Sequence, residues 1–159
     1  MQYAEAVAAQ QEWVLLAYRL PREPSGPRVT VWRKLRRLGV VQLVDGLVAL
    51  PAHGRTKEQL ESLADEVLEA GGEATVWMGR PGSAADERRL AARMAEAITE
   101  EYRAVTSAAV AAAPSDRRTA ARLQRELQRI VRRDLFPPPA RDEAHAAVRR
   151  LVETLEPAR

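Results

Sequence analysis

The order of the apolar runs predicts an α+β protein: a four-stranded sheet with two helices, followed by three further helices. Three observations carry that reading. Over residues 12–80, short apolar runs alternate with helical periodicity in the order β-α-β-β-α-β. Asp45-Gly46 separates two of the runs, and an Asp-Gly pair between apolar stretches is a strong hairpin signal. From Ser83 onward the 3.6-residue period is interrupted only at Pro114-Ser115 and at Phe136-Pro137-Pro138-Pro139.

Each element has its own reason. Trp13-Val14-Leu15-Leu16-Ala17-Tyr18 is an apolar run that stops at Leu20-Pro21, and a turn-rich loop containing Pro24, Ser25 and Gly26 follows it. A helix is expected over residues 28–38, with Val31, Trp32, Leu35 and Leu38 on its apolar face and Trp32 as a core anchor. Gly39 closes it, because glycine enters the left-handed conformation without a Cβ penalty. The hairpin occupies residues 40–50. Thr56 with Gln59 suits a capping box for a helix that turns Leu60, Leu63, Ala64, Val67 and Leu68 inward and ends at Gly71-Gly72. Residues 73–78 supply the fourth strand. This order is the split βαβ plan of a ferredoxin-like fold, and it leaves one sheet face to be covered.

Three helices follow and could cover that face, bundle beside it, or form a dimer surface. The first has Ser83 to Asp86 as its cap and Leu90, Met94, Ala97, Ile98, Tyr102 and Val105 in phase. The second carries Leu123, Leu127, Ile130, Val131 and Leu135; the third, about residues 141–156, turns Ala144, Ala147, Val148, Leu151, Val152 and Leu155 inward. The expected organisation is a lead-in over 1–11, a core over 12–82 and a helical extension over 83–159.

Composition narrows the function. The chain has 159 residues, enough for one domain or a small domain with an extension. A formal charge of +3 and a pI near 9.8 are compatible with nucleic acid and do not require it. No cysteine means no disulfide, no thiolate metal site and no catalytic thiol. The first eleven residues lack a basic region followed by an apolar core, and no apolar stretch has spanning length. The expectation is a cytoplasmic protein with no membrane partner, metal or cofactor.

The run from Trp13 through Leu20-Pro21, Arg28, Trp32-Arg33, Gly39 and Leu50-Pro51 resembles the N-terminal domain of the chromate-resistance regulator ChrB. The likeness continues through Arg133-Asp134-Leu135-Phe136-Pro137 and covers residues 12–157. More distantly, the pattern is similar to the central domain of PaaX-type repressors and to the Cas2-like ferredoxin fold. The resemblance implies transcriptional regulation linked to chromate resistance, with promoter DNA as partner. In that family, sensing is attributed to a further C-terminal domain. No such domain follows within these 159 residues, so the expectation is a regulator lacking the usual sensor. A separately encoded chromate-sensing protein is then a possible partner.

Two basic clusters could carry that role. Residues 28–37 present Arg28, Arg33, Lys34, Arg36 and Arg37 on one helix, although residues 12–80 together hold ten Arg and Lys against nine Asp and Glu. Arginine forks suit phosphate oxygens, so this helix is the first candidate for DNA contact. The plain alternative is a solvated face. Arg118, Arg122, Arg125, Arg129, Arg132 and Arg133 recur at three or four residues and form a stripe, of which Arg122, Arg125 and Arg129 are the second candidate. Its plain alternative is pairing with the acid-rich stretch from Asp86 to Glu101. A twofold dimer would double either surface.

Enzymatic readings find no footing. A metal-dependent nuclease would need a carboxylate where the first strand ends, and the chain there reads Tyr18-Arg19-Leu20-Pro21. His53 and His145 match no metalloprotease spacing, and no phosphate-cradling glycine loop or nucleophile elbow is present. Arginines could also hold an oxyanion such as chromate, but the sequence does not show which of them converge. The competing class is a protein-interaction module whose arginines meet an acidic partner.

Overall fold

The computed structural model describes residues 11–155. The chain runs β1 (Trp13–Arg19), α1 (Gly26–Leu38), β2 (Val41–Val44), β3 (Leu47–Pro51), α2 (Thr56–Glu69), β4 (Glu73–Gly79), α3 (Ala84–Ala111), α4 (Arg117–Arg133) and α5 (Ala140–Glu153). The lead-in expected over residues 1–11 lies, apart from Gln11, outside the described residues. Two compact units share the chain, one ending at Met94 and one beginning at Ala95.

The first unit is α+β. Its four strands lie in the order β2-β3-β1-β4, and every neighbouring pair is antiparallel. β1 is flanked on both sides: Trp13–Ala17 face Pro51–Leu47 of β3, and Trp13–Arg19 face Gly79–Glu73 of β4. An interior strand can hide both faces, which explains why its apolar run is nearly continuous. Val14 and Leu16 alternate along β1 and lie opposite Leu50 and Val48, and all four are fully buried. α2 lies against β1 and β4, and α1 lies against α2. They bury Leu60, Leu63, Ala64 and Val67 from α2 and Val31 and Leu35 from α1.

The hairpin turn is Asp45-Gly46, with Gly46 at φ 75°. A Cβ at Gly46 would sit 2.6 Å from the Tyr18 carbonyl oxygen, and the Gly46 carbonyl accepts from the Tyr18 amide at 2.8 Å. Glycine is required there on both counts.

On the other sheet face Trp13 is buried, and its indole Nε1 donates to Glu87 Oε1 at 3.0 Å. The Gln11 amide donates to the same oxygen at 2.9 Å, so the first turns of α3 cover this end of the sheet. Ser83 caps α3, its hydroxyl accepting from the Asp86 amide at 3.1 Å.

The second unit has a core of its own, drawn from Ile98, Tyr102 and Val105 of α3, Leu123, Leu127 and Ile130 of α4, and Ala144, Val148 and Leu151 of α5. Asp116 caps α4 by accepting from the Thr119 amide at 3.0 Å. That bond holds its carboxyl below the usual carboxylate range.

Four expectations about faces and caps are corrected. Trp32 is not a core anchor: 38% of it is exposed. Val31, Leu35 and Leu38 form the stripe, and a residue one position from Val31 is turned about 100° away, onto the stripe's shoulder. Leu68 is likewise exposed, one position beyond the buried Val67. Ala97 is exposed beside the buried Ile98. Thr56 is the first helical residue rather than the cap; its hydroxyl donates to the Pro51 carbonyl at 2.7 Å and accepts from the His53 amide at 3.0 Å. It fastens the β3–α2 loop instead of closing a capping box.

Candidate nucleic-acid interface

α1 begins after Ser25 with Pro27 in its first turn, where the missing N–H costs nothing and φ is preset. It ends at Gly39, φ 77°, whose amide reaches the Arg36 carbonyl at 3.1 Å. Between these stops, burial of Val31 and Leu35 fixes the helix's rotation and turns the charged positions outward. Arg28, Arg33, Arg36 and Arg37 are all exposed. Among the described residues none of these four makes an ion pair. The first turn of α1 contains no acid and does contain Arg28. A cation at the positive end of a helix dipole is unfavourable, so Arg28 does not stand there for stability.

Lys34 differs from its neighbours. It faces α2, and its Nζ lies 2.7 Å and 2.8 Å from the two carboxylate oxygens of Glu66. A groove of about 460 Å³ runs along this side, lined by Lys34, Arg37 and Arg55 together with Glu58, Gln59 and Glu66. Its charges are mixed. On the other flank of α1, Trp32 and Val29, the latter 53% exposed, stand among Arg28, Arg33 and Arg36.

The second cluster belongs to the other unit. Arg122, Arg125 and Arg129 are exposed on α4, and Arg122 reaches Glu126 of its own helix at 3.6 Å. Arg132 lines a groove of about 520 Å³ between α4 and α5, with Leu127, Val131, His145, Val148 and Arg149. Arg133 turns away from the stripe and makes a two-pronged ion pair with Glu101 of α3, one contact being 2.6 Å. For that one arginine the pairing alternative is what the structure contains.

Next to it is a buried carboxyl that was not singled out from the sequence. Tyr102, fully buried, donates its hydroxyl to Asp134 Oδ2 at 2.7 Å, and Arg141 stands 4.0 Å from the same oxygen. Burial raises the Asp134 carboxyl above its ordinary range, against the hydrogen bond from Tyr102 and the Arg141 charge. Burial, followed by the bond to Asp134, raises the Tyr102 hydroxyl well above its usual value. Tyr18 is raised by burial first and by Asp45 second.

A family model for the N-terminal region of protein ChrB matches residues 28–113, more than half of the chain. The chain belongs to the ChrB N-terminal family. No curated protein and no solved structure matches it. Membership sets the chain in the context of chromate-resistance regulation, and the match opens at Arg28, the first arginine of α1. Among the described residues no helix is long and apolar enough to cross a membrane.

Two features around α1 escape a reading by periodicity. Apolar Val31, Leu35 and Leu38 point Trp32 inward, yet Arg28 and Arg36 lie four residues to either side of it. Helical neighbours at that spacing share a face, and this was the available signal. Arg55 comes to the α1–α2 groove from the β3–α2 loop, and no local pattern announces that.

Proposed function

We infer that this chain is a DNA-binding transcriptional regulator of the chromate-resistance type, contacting the phosphate backbone through α1. One observation carries the reading: four exposed arginines on one helix, none neutralised by an acid of the described residues. Arginine without a partner is free to displace the counterions condensed on DNA, which is the main source of affinity for such surfaces. The strand order β2-β3-β1-β4 with antiparallel neighbours supports a ferredoxin-like, Cas2-like core as the scaffold. Arg122, Arg125 and Arg129 supply a second phosphate-contacting row. A homodimer in the cytoplasm would present each surface twice, and the chain acts without a cofactor and not as an enzyme.

The test is a fluorescence-anisotropy titration with the DNA upstream of the chain's own operon and a scrambled duplex, across a range of salt concentrations. Four phosphate contacts per chain predict that log K falls with log salt at a slope of about −3.6 per bound chain. Arg33→Glu with Arg37→Glu should abolish most of that slope. Unchanged binding by the double variant would remove α1 from the interface.

A second reading is a protein-interaction module. β4 is an edge strand of seven residues, with Trp77 60% and Met78 40% exposed, and unpaired edges of this composition invite another chain. Under that reading the protein shows no salt-dependent DNA affinity and binds a separately encoded sensor instead.

A further inference from the structure

Trp32 is left unused by phosphate contact. It is the largest apolar side chain on the basic flank of α1, with Arg28 one turn before it, Arg36 one turn after it, and Val29 three residues before it. Trp32 is 38% exposed and Val29 is 53% exposed. A phosphate chain has nothing to offer an indole or an isopropyl group. A nucleobase does, because every base has a π face on which an aromatic side chain can stack. In a continuous duplex those faces are covered by neighbouring base pairs, and only base edges are open in the grooves.

We propose that Trp32, with Val29 beside it, stacks on an unpaired base while Arg28, Arg33 and Arg36 hold the phosphates around it, so that this surface takes single-stranded or locally opened DNA in preference to continuous duplex. The proposal rests on the phosphate reading of α1 and adds to it a strand preference and the residue responsible. Charge selects the ligand: an apolar patch ringed by unpaired guanidinium groups fits an anionic strand with exposed rings. Arg36 and Arg28, as planar cations, can also lie against the bases next to the stacked one.

The experiment compares an oligothymidylate about twelve nucleotides long with duplex of equal length, using the full chain at several salt concentrations. Trp32→Leu keeps an apolar residue at an exposed position and removes the stack; Trp32→Phe restores a ring. The proposal expects tighter binding of the single strand than of the duplex. Trp32→Leu should weaken single-strand binding between about 5-fold and 100-fold, leave duplex affinity and both salt slopes unchanged, and be rescued largely by Trp32→Phe. In a Trp77→Phe background, indole fluorescence should be quenched by oligothymidylate and lose that response with Trp32→Leu. Salt-steep binding of both forms with no effect of Trp32→Leu overturns this proposal and leaves the phosphate reading standing. No salt-dependent binding of either form overturns both, and the patch then belongs to a protein partner.

Discussion

Replacing Tyr102 by Phe deletes one oxygen and keeps the ring. Tyr102 is fully buried in the second unit, so the packing of the ring among Val105, Leu123 and their neighbours is retained. What is lost is the donor to Asp134 Oδ2 at 2.7 Å. The Asp134 side chain has no exposed surface, and the backbone amide of Phe136 is a second hydrogen-bond donor to its carboxyl. Arg141, at 4.0 Å, is the remaining charge on Oδ2 and lies beyond good hydrogen-bond length. A hydrogen bond to a buried charged group contributes about 1.5–3 kcal/mol, and we expect a loss of about 2 kcal/mol for Tyr102→Phe where Asp134 is ionised. With a urea m-value near 2 kcal/mol/M, that is a fall in midpoint of about 1 M with no change in slope.

The pH dependence makes the argument specific. Because burial raises the Asp134 carboxyl, the native protein binds this proton more readily than the unfolded chain. The group's contribution to stability therefore declines as pH rises from about 3.9 through the raised native value, and is constant above it. The Tyr102 bond works against this rise, so the penalty for Tyr102→Phe should be largest above the raised native value and shrink as the carboxyl protonates at lower pH. Asp134→Asn should flatten the profile and reduce the penalty to that of a neutral bond. At the alkaline end Tyr102 is raised too. Its stabilising share is present below about pH 10 and is lost as pH rises toward the native value, and Tyr102→Phe removes that limb, leaving the one from Tyr18. Chemical denaturation at several pH values reads all of this. A penalty below about 0.5 kcal/mol, or one that does not vary with pH, would refute the assignment of Asp134 as a buried carboxylate held by Tyr102.

Glu66→Gln should release Lys34 into the basic surface. The pair is near half-exposed, so stability should change by no more than about 1 kcal/mol, while the DNA salt slope should steepen by about 0.9 per chain. An unchanged slope would show that Lys34 faces away from the strand even when free. Gly46→Ala should cost at least about 1 kcal/mol, because the new Cβ meets the Tyr18 carbonyl and φ is 75°. An unaltered urea midpoint would mean that the hairpin relaxes around the change.

What was legible depended on how local its cause was. The hairpin could be read because Asp45-Gly46 carries its turn geometry in two adjacent residues, and β1 because an interior strand hides both faces. The helix stop was legible at Gly39, where a left-handed residue is needed; α4 instead ends at Arg133 with Asp134 extended, so Leu135, expected on that helix, lies beyond it. The basic residues of α1 were legible as a group, but their separation into four arginines with no ion pair among the described residues and one paired lysine was not. Lys34 meets Glu66 across 32 positions, on a helix whose approach is fixed by burial rather than by local pattern. The same distance hides Tyr102 from Asp134, and 74 positions separate Trp13 from Glu87. Trp32 is the opposite case. Its flanking arginines stood in the sequence throughout, and counting apolar residues outweighed them. When an aromatic residue sits beside an apolar stripe and has arginines at both i−4 and i+4, the charges should decide its face. Holding that ring in the core would drag two guanidinium groups toward it, and desolvating two unpaired charges costs more than a buried indole returns.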